Sequence, residues 1–124
     1  MLEGFNFRII WEYMPFFMEG VRNTALISLI SLFLALIAGI IACAGRLSKW
    51  KLIRGVAIFY IESIRTTPLL VQIFIWYFVL GTLINTLLVK QGLYQVPPLW
   101  FGVAALACFT GAYVAEIVRA GIQS

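Results

Sequence analysis

From Asn23 to Gly45 the chain carries no charged residue, reading NTALISLISLFLALIAGIIACAG. About 20 consecutive apolar residues cross the hydrocarbon core of a bilayer as an α-helix, so this stretch predicts a membrane span. A cleaved secretory signal fits worse. Its apolar run is shorter and its start basic, whereas Glu3, Glu12 and Glu19 precede this one. The rest of the chain agrees: of 124 residues, 63 % are apolar and 11 % charged, with mean hydropathy +1.01. Soluble domains run at about 45–50 % and about 25 %, and so short a chain leaves much of its surface wet. A water-soluble globule is excluded.

The charged residues then set the topology. Arg46, Lys49, Lys51 and Arg54 follow the first span with no acid among them, and short basic loops stay in the cytoplasm. The amino terminus is therefore expected outside. Residues 1–22, with Trp11, Tyr13 and several phenylalanines, predict an extracytoplasmic interfacial segment whose short surface helix ends at Pro15. Further spans are expected at about 55–82, leaving near Leu80 or a few residues later, and at about 100–118. Gly92, Pro97 and Pro98 mark the outer loop between them. Ala35 with Gly39 and Ala38 with Ala42 are small-xxx-small pairs that let another helix approach closely. The fold class expected is an all-α membrane protein of three transmembrane helices.

Several functions are disfavoured at once. The charge of +4 is too small and too scattered for a nucleic-acid footprint. Histidine is absent, which removes the usual general base and the commonest metal ligand. Cys43 and Cys108 lie in apolar runs and read as small hydrophobes. No Walker loop, HExxH or nucleophile elbow occurs, so neither an enzyme nor a cofactor or metal site is expected.

Two polar clusters interrupt the apolar pattern. Glu62 and Arg65 stand three residues apart and can pair on one helix face; alternatively both snorkel to the inner headgroups. Pro68 just beyond them cancels a helix hydrogen bond and biases Thr67 away from helical geometry, so a kink is expected there, with Thr66, Thr67 and Gln72 to satisfy freed backbone groups. The second cluster places Glu116 and Arg119 three apart at the inner end of the third span. Gly121 suits a helix terminus, after which the chain is expected to turn along the membrane. These features suit a protein that moves a solute, or a subunit of one.

The segment Arg65-Thr-Thr-Pro-Leu-Leu-Val-Gln72 resembles the R-G-T-P-L-L-V-Q signature of polar amino acid ABC importer permeases, with Thr66 in place of the glycine. Ala112-Tyr-Val-Ala-Glu-Ile-Val-Arg-Ala-Gly-Ile122 is similar to the segment opening their cytoplasmic coupling loop, and Asn23-Thr24 also fits. The resemblance covers essentially the whole chain and corresponds to the amino-terminal three-fifths of such a subunit. It implies a truncated type I importer permease domain over residues 23–124, in a bacterial inner membrane. It also implies a second permease subunit, identical or not, a cytoplasmic ABC ATPase, an extracytoplasmic amino-acid-binding protein and a polar amino acid as substrate. Leu70, Thr110, Gly111 and Tyr113 are then expected near the pathway. Glu116, Arg119 and Gly121 would belong to the coupling segment, and Glu62 and Arg65 would form a structural pair. A small structural or regulatory membrane protein without a transport role is the alternative, and an ATPase partner separates the two.

Overall fold

The computed structural model describes Gly4 and residues 6–124. A short helix α1 (Phe7–Glu12) is capped by Asn6, whose side-chain oxygen accepts from the Arg8 N–H at 3.1 Å. The long helix α2 (Met14–Arg46) follows at once. Pro15 sits in its first turn, where a missing N–H leaves no bond unmade, so the proline opens the long helix instead of closing a surface one. Residues 14–22, expected in the interfacial segment, thus belong to the same helix as residues 23–46; Met1 to Glu3 and Phe5 lie outside the described residues.

Helix α6 (Pro98–Gln123) packs along α2. On α2 the buried positions are Ser31, Ala35, Gly39, Ala42 and Cys43, and on α6 they include Ala105, Gly111, Ala112 and Ala115. Small residues at this spacing permit close backbone approach, which in a membrane replaces the hydrophobic drive with van der Waals packing. Gly39 shows how close: a Cβ there would stand 2.6 Å from Val114 Cβ and 2.9 Å from the Gly111 carbonyl oxygen. Both expected small-residue pairs contribute, since Ala38 meets Gly111 from the other side at 3.1 Å from its would-be Cβ. Cys43 and Cys108 are unpaired, and Cys43 packs in an apolar cluster with Ala42, Ile61 and Ala115.

The expected single helix over 55–82 is instead broken. Helix α3 (Lys51–Thr66) stops at Thr67, which with Pro68 is extended (φ/ψ −100°/133° and −60°/146°). The Thr66 hydroxyl donates to the Glu62 carbonyl at 2.8 Å and the Thr67 hydroxyl to Ser63 at 2.7 Å, so the threonines cover carbonyls that the break frees. Helix α4 (Leu69–Phe74), a π-helical stretch (Ile75–Gly81) and α5 (Thr82–Lys90) then form one rod. The helix thus runs on past Leu80, near which or a few residues later the span is expected to leave the membrane. The rod's end is a Schellman turn: Gly92 has φ +74°, Leu93 N–H donates to Leu88 O at 2.9 Å and Gly92 N–H to Val89 O at 3.0 Å. Asn85 then clamps the following loop, accepting from Val96 N–H at 2.8 Å and donating to Val96 O at 3.3 Å.

Three helical stretches are long and apolar enough to cross a membrane: Met14–Arg46, Leu69–Lys90 and Pro98–Gln123. Helix α3 is not among them: its 16 residues are too few to cross the hydrocarbon core, and Lys51, Arg54, Glu62 and Arg65 also dilute its apolar face. The third span also outruns its expected 100–118. Gly121 lies inside α6, where a glycine costs only about 1 kcal/mol. Around it Arg119 Nη1 donates to Gln123 Oε1 at 2.9 Å and the Ser124 hydroxyl to the Gly121 carbonyl at 2.7 Å. The described chain does not turn along the membrane at that point. With three such helices and no strand among the described residues, this is a multi-pass, all-α membrane protein.

Candidate functional site

The last turn of α2, the end of α3 and the end of α6 meet in a cluster of charges. Glu116 is its centre, with a side chain only 15 % exposed. Its Oε1 accepts from Arg46 Nη1 at 2.6 Å. Its Oε2 accepts from Arg119 Nη2 at 2.8 Å and Nε at 3.2 Å, and Arg65 Nη1 stands 3.7 Å away. The same Arg46 nitrogen reaches Glu62 Oε1 at 3.3 Å. Three guanidinium groups thus share two carboxylates, leaving the group cationic by one. A partly buried carboxylate accepting several charge-assisted bonds is held in one orientation.

The expected pairs fare differently. Glu116 and Arg119 do meet across one helical turn. Glu62 and Arg65 do not pair among the described residues: Glu62 takes Arg46 and Arg65 takes Glu116. The reason is steric direction as much as charge. The Arg65 guanidinium lies over the Tyr113 ring, 5.6 Å from its centroid, and the Tyr113 hydroxyl donates to the Arg65 carbonyl at 3.4 Å, which draws Arg65 towards α6. Arg46 is the member that sequence reading missed. It read as one of four loop charges, and its carboxylate partner lies 70 residues away, so no local spacing announces it.

The four residues expected near a pathway differ in their surroundings. Gly111 is buried at the α2–α6 contact, beneath Ala38, Ala35 and the Tyr60 hydroxyl. That close approach is what its missing side chain permits, so it serves helix packing. Tyr113 is turned to Arg65 and to Phe109, whose ring centroid is 5.1 Å away. Leu70 is 63 % exposed, and Thr110 is half-buried. At the opposite end of the molecule a cavity of about 450 Å³ opens beside the π-helical stretch, between Tyr77, Thr82, Asn85, Lys90, Gln95 and Phe101. Among the described residues no group of side chains has the makings of a metal site.

No family model matches the chain. Individual relatives do. The arginine transport system permease protein of Bacillus subtilis is 36 % identical over 110 residues, covering 89 % of this chain and 47 % of the relative. The glutamine transport system permease protein of Escherichia coli is 32 % identical over 120 residues, 97 % of this chain and 52 % of that protein. A nopaline transport system permease protein of Agrobacterium fabrum is 34 % identical over 121 residues, 96 % and 50 % of the two. In three dimensions, a crystal structure of an amino acid ABC transporter with histidines superposes with a TM-score of 0.79 at 36 % identity, covering 97 % of this chain and 52 % of that one. The chain spans about half the length of the proteins it matches. Over nearly all of its own length, in sequence and in backbone, it is homologous to the amino acid ABC transport permeases.

Proposed function

We propose that this chain forms part of the membrane-spanning permease of an ATP-driven importer for polar amino acids, in a bacterial inner membrane with its amino terminus outside. The observation that carries the reading is the match to amino acid transport permeases over 97 % of the chain in both sequence and backbone. The permease makes no covalent bond in this reading. A cytoplasmic ATPase engages the segment that includes Glu116, Arg119 and Gly121, a second permease subunit completes the pathway, and an extracytoplasmic binding protein delivers the amino acid.

The charged cluster supplies the mechanical link. Because Glu116 is tied to Arg46 on α2 and Arg65 on α3, a push on the inner end of α6 carries both neighbouring helices with it. Coupling through such a network needs an element with two arrangements, and the break at Thr67–Pro68 offers one place to bend. The test is uptake of labelled arginine and glutamine by the host lacking this gene, complemented with the wild-type chain or with Glu116→Gln. Restored uptake with the wild type, and poor uptake with Glu116→Gln at equal membrane abundance, are expected. Uptake indifferent to the gene, with no ABC ATPase co-purifying, would instead favour a structural or regulatory role.

A further inference from the structure

One feature borders the α2–α6 seam and is filled neither by it nor by the charged cluster: a groove of about 620 Å³ between α2 and α3, lined by Ala38, Ile41 and Gly45 on one side and Leu52, Val56 and Tyr60 on the other. Its walls are apolar. The single polar atom among these side chains, the Tyr60 hydroxyl, is already engaged with the Cys108 carbonyl at 2.5 Å, so a polar ligand finds no partner inside. Ile41, Leu52 and Val56 are 66, 79 and 64 % exposed, open to whatever surrounds the protein.

The groove runs along α2 from Ala38 to Gly45, about 11 Å at 1.5 Å per residue, against about 15 Å for the hydrocarbon of one leaflet. It opens at the turn joining the helices. There Lys49, Lys51 and Arg54 are exposed and have no carboxylate partner among the described residues. Arg54 Nη2 donates to the Lys49 carbonyl at 3.4 Å, which folds its guanidinium onto the same turn. No acidic residue occurs from Gly20 through Ile61. Trp50, 74 % exposed in the middle of this basic rim, is a residue type that settles at headgroup level.

We propose that this groove binds an anionic phospholipid, with an acyl chain against Ile41, Leu52 and Val56 and the phosphate at Lys49, Lys51 and Arg54. An apolar slot of leaflet depth with a cationic rim matches the two halves of such a molecule. A second copy of the chain seated by the same face would bring two basic turns together with no acid between them, and like charges so placed repel. A zwitterionic lipid gains the slot but little from the rim. Each basic residue near the surface is worth roughly fivefold in favour of anionic lipid. The proposal needs only a membrane-spanning chain, so it stands or falls apart from the transport reading.

The test uses the whole chain in detergent micelles with phosphatidylglycerol or phosphatidylcholine of identical tails. Native mass spectrometry should show phosphatidylglycerol retained at least about tenfold better, and a tail-diazirine phosphatidylglycerol should cross-link within residues 38–60. The combined variant Lys49→Gln, Lys51→Gln, Arg54→Gln should abolish the preference, while Lys90→Gln at the far end leaves it intact. Val56→Trp, at an exposed position, should fill the slot and remove the cross-links with the helical circular dichroism unchanged. Equal retention of the two lipids by the wild type, a preference that survives the triple substitution, or cross-links that map elsewhere or to a second copy would each overturn the proposal.

Discussion

Gly39→Ala tests the α2–α6 seam against a control within the same molecule. The added Cβ would stand 2.6 Å from Val114 Cβ and 2.9 Å from the Gly111 carbonyl, where carbon contacts are comfortable only at about 3.5–4.0 Å. Neither neighbour is a flexible side-chain end, so the helices must part by about 1 Å. Overpacking of this kind costs about 1–3 kcal/mol. Alanine in a helix interior regains about 0.8–1.0 kcal/mol over glycine, which partly conceals that cost. Gly102→Ala removes the ambiguity: it lies in α6 with nothing within 4 Å of its would-be Cβ and carries the propensity gain alone. The difference between the two variants isolates the overpacking, about 1–3 kcal/mol or roughly 5- to 150-fold in the opening equilibrium. Cys43, 2 % exposed beside the seam, reports opening through its reaction with a maleimide in a Cys108→Ser background under mild SDS. Gly39→Ala should react faster than Gly102→Ala by that factor. Equal rates, or a slower Gly39→Ala, would refute the close-packed seam.

The charged cluster predicts unequal effects from its two acids. Glu62→Gln touches a carboxylate 51 % exposed and should cost about 0–1 kcal/mol, whereas Glu116→Gln strands Arg46 and Arg119 and should cost about 1–3 kcal/mol, between the exposed and fully buried limits; SDS titrations of the two variants check the order. Asn85→Leu removes both bonds to Val96 and should lower stability by about 1–3 kcal/mol, with faster proteolysis between residues 91 and 97. For topology, Lys49→Cys in a background lacking Cys43 and Cys108 should resist an impermeant maleimide added to intact cells and react once they are opened.

Much of this was legible because a bilayer enforces simple rules. Freedom from charge between Asn23 and Gly45 sufficed to place a span, and Ala35, Gly39 and Ala42 marked the face where another helix comes close. Local chemistry also announced a kink at Pro68, and the structure sharpens it into a break. The ends of the spans were harder, since Thr66 to Val89 is uncharged throughout and hydropathy alone does not say where α3 yields to the rod. Pro15 misled for a related reason: a proline suits the start of one helix as well as the end of another. Within the charged cluster, spacing found Glu116 with Arg119, which share a helical turn. It failed for Arg46 and for Arg65, whose partners are set by how three helices converge, and a one-dimensional reading has no term for that.

The two extended residues between α3 and α4 have a mechanical consequence. A helix passes on twist through its ladder of backbone hydrogen bonds, and Thr67 and Pro68 cut that ladder while the hydroxyls of Thr66 and Thr67 quiet the severed end. Below the cut, Arg65 is moored to Glu116; above it, the rod from Leu69 to Lys90 receives a position from α3 but no torque. The connection works as a ball joint whose two sides are both seated on α6, so α3 and the rod each follow α6 and neither twists the other.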